Sequence, residues 1–256
     1  MFKLIDTHCH VNFEDYDADR DDVISRAQDK LDAVIVSGTS LESNIQLLDL
    51  VDEYKEFLYP TFGFHPLTSQ DSTEEELKEA QNYLIENRDK FVAIGEVGTD
   101  YFYVKEKPIR ERQREIFKSF MDIANDYKIP LQMHVRDSER KAFNLLEDYE
   151  DIPYCIFHCY GGSMKTARRI MEKGNYYMSF STMVCYSQRH QELIKDIPLD
   201  FVLTETDSPY LAMTKEERNE PANVSLAVEK IAEIKDLDVA TVDEVTTENA
   251  KKVFNI

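Results

Sequence analysis

Along this chain, short apolar runs rich in β-branched and aromatic residues alternate with longer stretches whose apolar positions recur about every 3.6 residues. The short runs predict strands over Leu4–His10, Ala33–Ser37, Leu58–Phe64, Phe91–Glu96, Leu131–Val135, Tyr154–His158, Tyr176–Ser181 and Phe201–Thr206. The amphipathic stretches predict a helix after each of the first seven: Arg20–Leu31, Leu41–Tyr54, Thr73–Asn87, Ile109–Tyr127, Ser138–Asp148, Met164–Lys173 and Glu192–Asp196. After the eighth strand come Asn223–Asp236 and Val239–Phe254. Ser40, Ser163 and the pair Ser72-Thr73 stand where N-caps are needed. Strict strand–helix alternation implies parallel strands, and eight units imply closure into a single (β/α)8 TIM barrel. An open doubly wound sheet is the alternative. It wants a Gly-rich loop after the first strand, where this chain has HCHVNFED.

The length of 256 residues suits one such barrel, and no repeat or Gly/Ser/Pro-rich linker divides it, so residues 1–256 are expected to form one domain. No apolar run approaches the ~20 residues of a membrane span. The start, MFKLIDTHCH, carries an acidic residue and two histidines where a signal peptide needs an apolar core. The expected location is therefore the cytoplasm. Cys9, Cys155, Cys159 and Cys185 form no CxxC pair and are expected to be reduced, structural thiols. With 30 Lys+Arg against 50 Asp+Glu, the net charge of −20 excludes a broadly basic nucleic-acid-binding face, although bound cations can invert the sign locally.

The histidines change the picture most. Of six, five (His8, His10, His65, His134 and His158) sit at or just past the C-terminal end of a predicted strand. That is the barrel end that carries active sites. His190, before a polar helix, is expected at the surface. On a strand, His8 and His10 point to one side and can reach one ion, while Cys9 points away. Alone, such a pair reads equally well as two hydrogen-bonded polar residues.

Glu96 follows an apolar strand, where an unpaired carboxylate would be costly; a bridge between two cations removes that cost, and a salt-bridged rim carboxylate is the plainer alternative. Asp100, four residues on, is expected to support a ligand or cap a loop. Arg136 shares a side with His134 and suits an anion, or is a solvated rim arginine. Gly161 and Gly162 permit a tight turn beside His158. Glu205 and Asp207 are expected on one face of the last strand, Asp207 as ligand and proton acceptor and Glu205 as the neighbour that orients it. Four histidines and two carboxylates are the donor set of a two-ion hydrolase. Mixed N/O donors suit Zn, Mn or Co, with Mg bound more weakly.

These motifs resemble the TatD-related metal-dependent deoxyribonucleases of the amidohydrolase superfamily. The resemblance runs through DTHCH (6–10), GFHP (63–66), GEVGTDY (95–101), QMHVRDS (132–138), HCYGG (158–162), TETDSPYL (204–211), RNEPANV (218–224) and TTENAKKVF (246–254). It implies that His8, His10 and Asp207 hold one ion, that His134 and His158 hold a second, and that Glu96 bridges them. Asp207 then also accepts the proton of the attacking water. His65 contacts the scissile phosphate, and Arg136, Glu205, Arg218 and Asn219 line the substrate side. Tyr101 and Tyr103 are placed to stack on a terminal base. The implied reaction is Mg- or Mn-supported phosphodiester hydrolysis, often from the 3′ end of single-stranded DNA. Thr99 stands where the family usually has Leu, and Tyr160-Gly161 where Phe and Ser are common. Glu216 and Glu217 stand where basic or small residues often precede the arginine.

Two other readings compete. A metal-dependent hydrolase of a small ester, lactone, amide or phosphoester keeps the site and suits the acidic surface. A non-catalytic scaffold would require the donor set to persist without function.

Overall fold

The computed structural model describes residues 4–214 and 216–256. Its strands are β1 (Leu4–Cys9), β2 (Leu31–Ser37), β3 (Leu58–Phe62), β4 (Ala93–Asp100), β5 (Leu131–Arg136), β6 (Cys155–Phe157), β7 (Tyr176–Phe180) and β8 (Val202–Thr204). The helices are α1 (Arg20–Gln28), α2 (Leu41–Glu53), α3 (Pro66–Ser69), α4 (Glu74–Glu86), α5 (Lys107–Tyr127), α6 (Glu139–Leu146), α7 (Met164–Glu172), α8 (Gln188–Asp196), α9 (Val224–Lys235) and α10 (Val239–Phe254). The sheet order is β1 through β8 in sequence, and the pairings of described register are parallel. This is the (β/α)8 barrel that the alternation predicts. Among the described residues, no helix is long and apolar enough to cross a membrane.

By its internal contacts the chain divides into two compact units, Met1–Val36 with Leu50–Tyr59 and Met178–Ile256, and Ser37–Asp49 with Pro60–Tyr177. In the first, β8 lies beside β1. Thr7 Oγ1 donates to the Thr204 carbonyl at 2.9 Å, and the amides of Asp207 and His10 donate to the carbonyls of His8 and Ser208 at 2.9 and 2.7 Å. Buried Asp6 reinforces this seam by accepting from Thr206 N at 2.9 Å, Thr206 Oγ1 at 2.6 Å and His8 N at 3.2 Å. Helix α9 buries Val224, Ala227, Val228 and Ile231, the i, i+3, i+4, i+7 face of an amphipathic helix.

In the second unit, β3, β4, β5 and β6 pair in turn. Helix α5 buries Ile116, Phe117, Phe120, Met121 and Ala124 on one stripe and ends at Lys128, whose left-handed backbone (φ 54°) closes the last turn. Helix α4 starts on a capping box in which Thr73 and Glu76 bond each other's backbone amides. Two glycines let backbones meet. A Cβ on Gly63 would lie 2.1 Å from Glu96 N, and one on Gly98 (φ 151°) would lie 2.0 Å from the His134 carbonyl oxygen.

Four differences from the expected elements matter. Strand β4 runs past Glu96 to Asp100, because Gly98, Thr99 and Asp100 go on pairing with His134, Val135 and Arg136. Strand β8 ends at Thr204, so Glu205 and Asp207 lie in the following loop, with Asp207 at φ 57°, and strand alternation does not set their directions. His65 is followed by an unexpected short helix, α3, with Pro66 in its first turn. Helix α8 starts at Gln188, and His190 is buried rather than at the surface, because it shares the inner face with Leu193 and Ile194.

Candidate metal centre

Two sets of donor atoms converge, one in each unit. In the first unit, His8 and His10 leave β1 on the same side, with their Nε2 atoms 3.2 Å apart. Asp207 Oδ1 lies 3.4 Å from His8 Nε2 and 3.6 Å from His10 Nε2. The His10 ring is held against Phe13 (centroids 4.6 Å apart, 14° between planes), and Tyr210 meets both rings edge-on. The imidazoles are buried.

In the second unit, Glu96 Oε1 lies 2.6 Å from His134 Nδ1 and 3.2 Å from His158 Nε2, and those two nitrogens are 3.4 Å apart. The other ring nitrogen of His134, Nε2, lies 3.0 Å from Asp100 Oδ2. That carboxylate's second oxygen accepts from Tyr103 N at 2.7 Å. The Asp100 contact makes Nε2 the protonated nitrogen of His134 and leaves the Nδ1 lone pair facing Glu96 and His158. Asp100 thus bonds the His134 ring with one oxygen and caps the following turn with the other.

The donor spacing fits a divalent ion. Ligands at about 2.1 Å from a metal stand about 3.0–3.5 Å apart, from octahedral to tetrahedral geometry. Both triangles lie close to that range, and each brings imidazole nitrogens together with a carboxylate oxygen. The electrostatics agree. Burial pushes the Glu96 carboxyl up, but His65, His134 and His158 outweigh it and hold the group well below the usual carboxylate range. Burial lowers His134, yet its contacts with Asp100 and Glu96 raise it above an ordinary histidine. The field that draws a proton to this ring is one that draws a cation.

His65 stands in a group with Glu96 and His134 whose donor atoms all lie within 4.8 Å of one another. However, its Nδ1 accepts from Leu67 N at 3.2 Å as the N-cap of α3, leaving Nε2 as the N–H, 3.7 Å from Glu96 Oε1. A nitrogen carrying a proton is a donor to an anion, not a metal ligand.

The remaining expected site residues fall into two kinds. Arg136 is exposed at the end of β5, its guanidinium 4.1 Å from the Phe102 ring centre. Arg218 and Asn219, by contrast, are occupied within the scaffold. Arg218 pairs with Asp19 at 2.6 Å and lies over the Tyr16 ring. Buried Asn219 donates to Thr182 Oγ1, the Thr206 carbonyl and the Tyr210 carbonyl at 3.2, 3.1 and 2.8 Å. Its amide thereby holds the loop that bears Asp207. Glu205 is buried, with Oε2 2.5 Å from Ser179 Oγ. Tyr101 is also buried, covered by Arg110 and Lys141, and cannot present a face to a base; Tyr103 is open. Sequence reasoning passed over Asp6, although an acidic residue inside an apolar strand signals a buried hydrogen-bond anchor.

Comparison with known proteins is consistent along the whole chain. Residues 5–255 match the family described as TatD related DNase. An uncharacterized metal-dependent hydrolase of Methanocaldococcus jannaschii, MJ1582, is 37% identical over 252 residues, 98% of this chain and 97% of its own. The human deoxyribonuclease TATDN3 is 33% identical over 260 residues, covering 98% of this chain and 94% of its own. The crystal structure of YJJV, a TatD homolog from Escherichia coli, superposes with a TM-score of 0.91 at 26% identity, covering 100% of this chain and 99% of that one.

Proposed function

As a member of the TatD-related DNase family the chain is a metal-dependent hydrolase acting on ester bonds, and we propose that the ester it cleaves is the phosphodiester of single-stranded DNA, attacked from the 3′ end. The observation that carries this reading is the pair of donor triangles, His8/His10/Asp207 and Glu96/His134/His158. Each triangle would hold one ion, and Mg, Mn or Zn are the candidates. One domain spanning residues 1–256 and a cytoplasmic location belong to the same proposal.

Two bound cations supply polarisation of the phosphate oxygens and acidification of a water. The protein's own groups do the rest. Asp207 accepts the proton as the water oxygen bonds to phosphorus and the bond from phosphorus to the 3′ oxygen breaks; the 3′ oxygen leaves with the bonding pair and takes a proton from solvent to become the new 3′-hydroxyl. The Nε2–H of His65 and the guanidinium of Arg136 hold non-bridging oxygens. Asn219 and Glu205 keep the 205–210 loop in place, and Arg218, beside Asn219, is held on Asp19.

The test is degradation of a 3′-labelled single strand with added Mg or Mn. Loss of activity with EDTA and in a Glu96→Ala/Asp207→Ala double variant is expected. Equal activity in wild type and double variant would reject the reading. A second reading, a small ester or phosphoester as substrate, is favoured by the net charge of −20. Turnover of a small-substrate panel far above that of DNA, under the same metals, would select it.

A further inference from the structure

Resting on the nuclease reading, we infer that Phe102, Tyr103 and Arg136 form a seat for one unpaired nucleobase and its phosphate beside His134. Two adjacent large rings face outward here, Phe102 at 45% and Tyr103 at 62% exposure, perpendicular to each other with centroids 5.0 Å apart. They do not sit on a loose tip. Tyr103 N is bonded to Asp100, Lys105 Nζ and Arg110 Nη2 both donate to the Tyr101 carbonyl at 2.9 Å, and Arg110 Nε donates to the Val104 carbonyl at 2.7 Å. The rings are therefore presented in a fixed place, which lowers the ordering cost of binding.

Arg136 completes the seat. Its guanidinium lies 4.1 Å from the Phe102 ring centre and 5.2 Å from that of Tyr103. Among the described residues no acceptor takes a hydrogen bond from it. A guanidinium stacked on a ring keeps its N–H edge available for phosphate oxygens. An apolar partner would not need this cation, and a bare phosphate would not need an exposed aromatic pair, Tyr103 open and Phe102 carrying Arg136 and, at 5.6 Å, Lys105. A nucleotide uses both. The seat is also tied to the metal ligands, because one carboxylate, Asp100, bonds both Tyr103 N and His134 Nε2.

Stacking needs an open base face, so the seat selects single-stranded ends, and it tolerates any base because each has a π-face. It also gives an acidic protein a local grip on DNA that does not depend on a basic surface. Few phosphate contacts imply a shallow dependence of affinity on salt.

The experiment compares oligothymidylate strands whose 3′-terminal unit carries a base or is abasic, in wild type, Phe102→Ala/Tyr103→Ala and Tyr103→Trp. Wild type should prefer the base by about tenfold in kcat/KM; the double variant should lose that preference, and Tyr103→Trp should keep it. In parallel, a nuclease-resistant phosphorothioate strand ending in 2-aminopurine reports stacking by fluorescence quenching, whether or not cleavage occurs. Absence of quenching in wild type, or equal quenching and base preference in the double variant, overturns the seat. If no strand is cut while quenching still requires the two rings, the nuclease reading fails and the seat stands.

Discussion

Asp100 Oδ2 lies 3.0 Å from His134 Nε2, across the ring from Glu96 Oε1, which lies 2.6 Å from Nδ1. One carboxylate thus turns Nδ1 of His134 toward the other, which is the nitrogen an ion placed there would meet. Replacing Asp100 with Ala should lower metal affinity about 10–100-fold while leaving the donor set complete. Asp100→Asn keeps an acceptor for Nε2–H and should lose less. Competition against a fluorescent chelator measures both; equal affinity of Asp100→Ala and wild type would show that Asp100 does not orient the ring.

The two glycines make a separate prediction. A methyl group on Gly98 would meet the His134 carbonyl oxygen at 2.0 Å, at a φ of 151° that side chains rarely adopt, and one on Gly63 would meet Glu96 N at 2.1 Å. Neither neighbour is a flexible side-chain tip, so backbone must move. Gly98→Ala and Gly63→Ala should each cost about 2–4 kcal/mol. Both should also weaken the Glu96/His134/His158 set. Chemical denaturation gives the first number and metal titration the second; wild-type values in both would mean that the backbone absorbs the methyl without moving the ligands.

Much of this was legible in the sequence, and the exceptions have physical causes. Eight β-rich runs separated by 3.6-period stretches specify a barrel, because each element must bury one face, and that pattern survives errors of a few residues at the ends. The end of β4 was not legible, since its extension to Asp100 depends on Gly98 meeting the His134 backbone. Candidate ligands could be named from their place at strand ends, but not the atoms they use. Nδ1 of His134 faces its partners only because Asp100 takes Nε2, and His65 is a donor only because α3 takes its Nδ1. The family resemblance implies a substrate-side place for Asn219, whereas its side-chain amide is taken up within the fold. Its partners are Thr182 and the carbonyls of Thr206 and Tyr210 in the preceding loop, and the path of that loop is set by the fold rather than by any local pattern.

Two donor sets should load separately. Wild type should hold two ions per chain, His8→Ala/His10→Ala should retain one and His134→Ala/His158→Ala the other, as read by elemental analysis after gel filtration. Free metal at 100 times its Kd should stabilise the wild type by about 2.7 kcal/mol per ion. A wild-type stoichiometry of one, abolished by either pair, would reduce the centre to a single ion.

His190 carries the pH prediction. Burial, and then the neighbouring Arg189 charge, lower it to about 4 from an ordinary 6.5, and Nδ1 is 2.7 Å from Ser187 Oγ. The folded state therefore favours the neutral ring. Between pH 6.5 and 4 the unfolded chain takes up a proton that the folded one refuses. Stability is full above pH 6.5 and falls as the pH drops toward 4, by about 3 kcal/mol at 1.36 kcal/mol per unit. Carboxylates elsewhere titrate in the lower part of that range, so the difference between proteins is the useful quantity. In His190→Gln the group that must stay neutral is gone, and the decline in Tm from pH 6.5 to 4 should be shallower than in wild type. Parallel Tm curves for the two proteins across that interval would mean that His190 accepts a proton without opening its site.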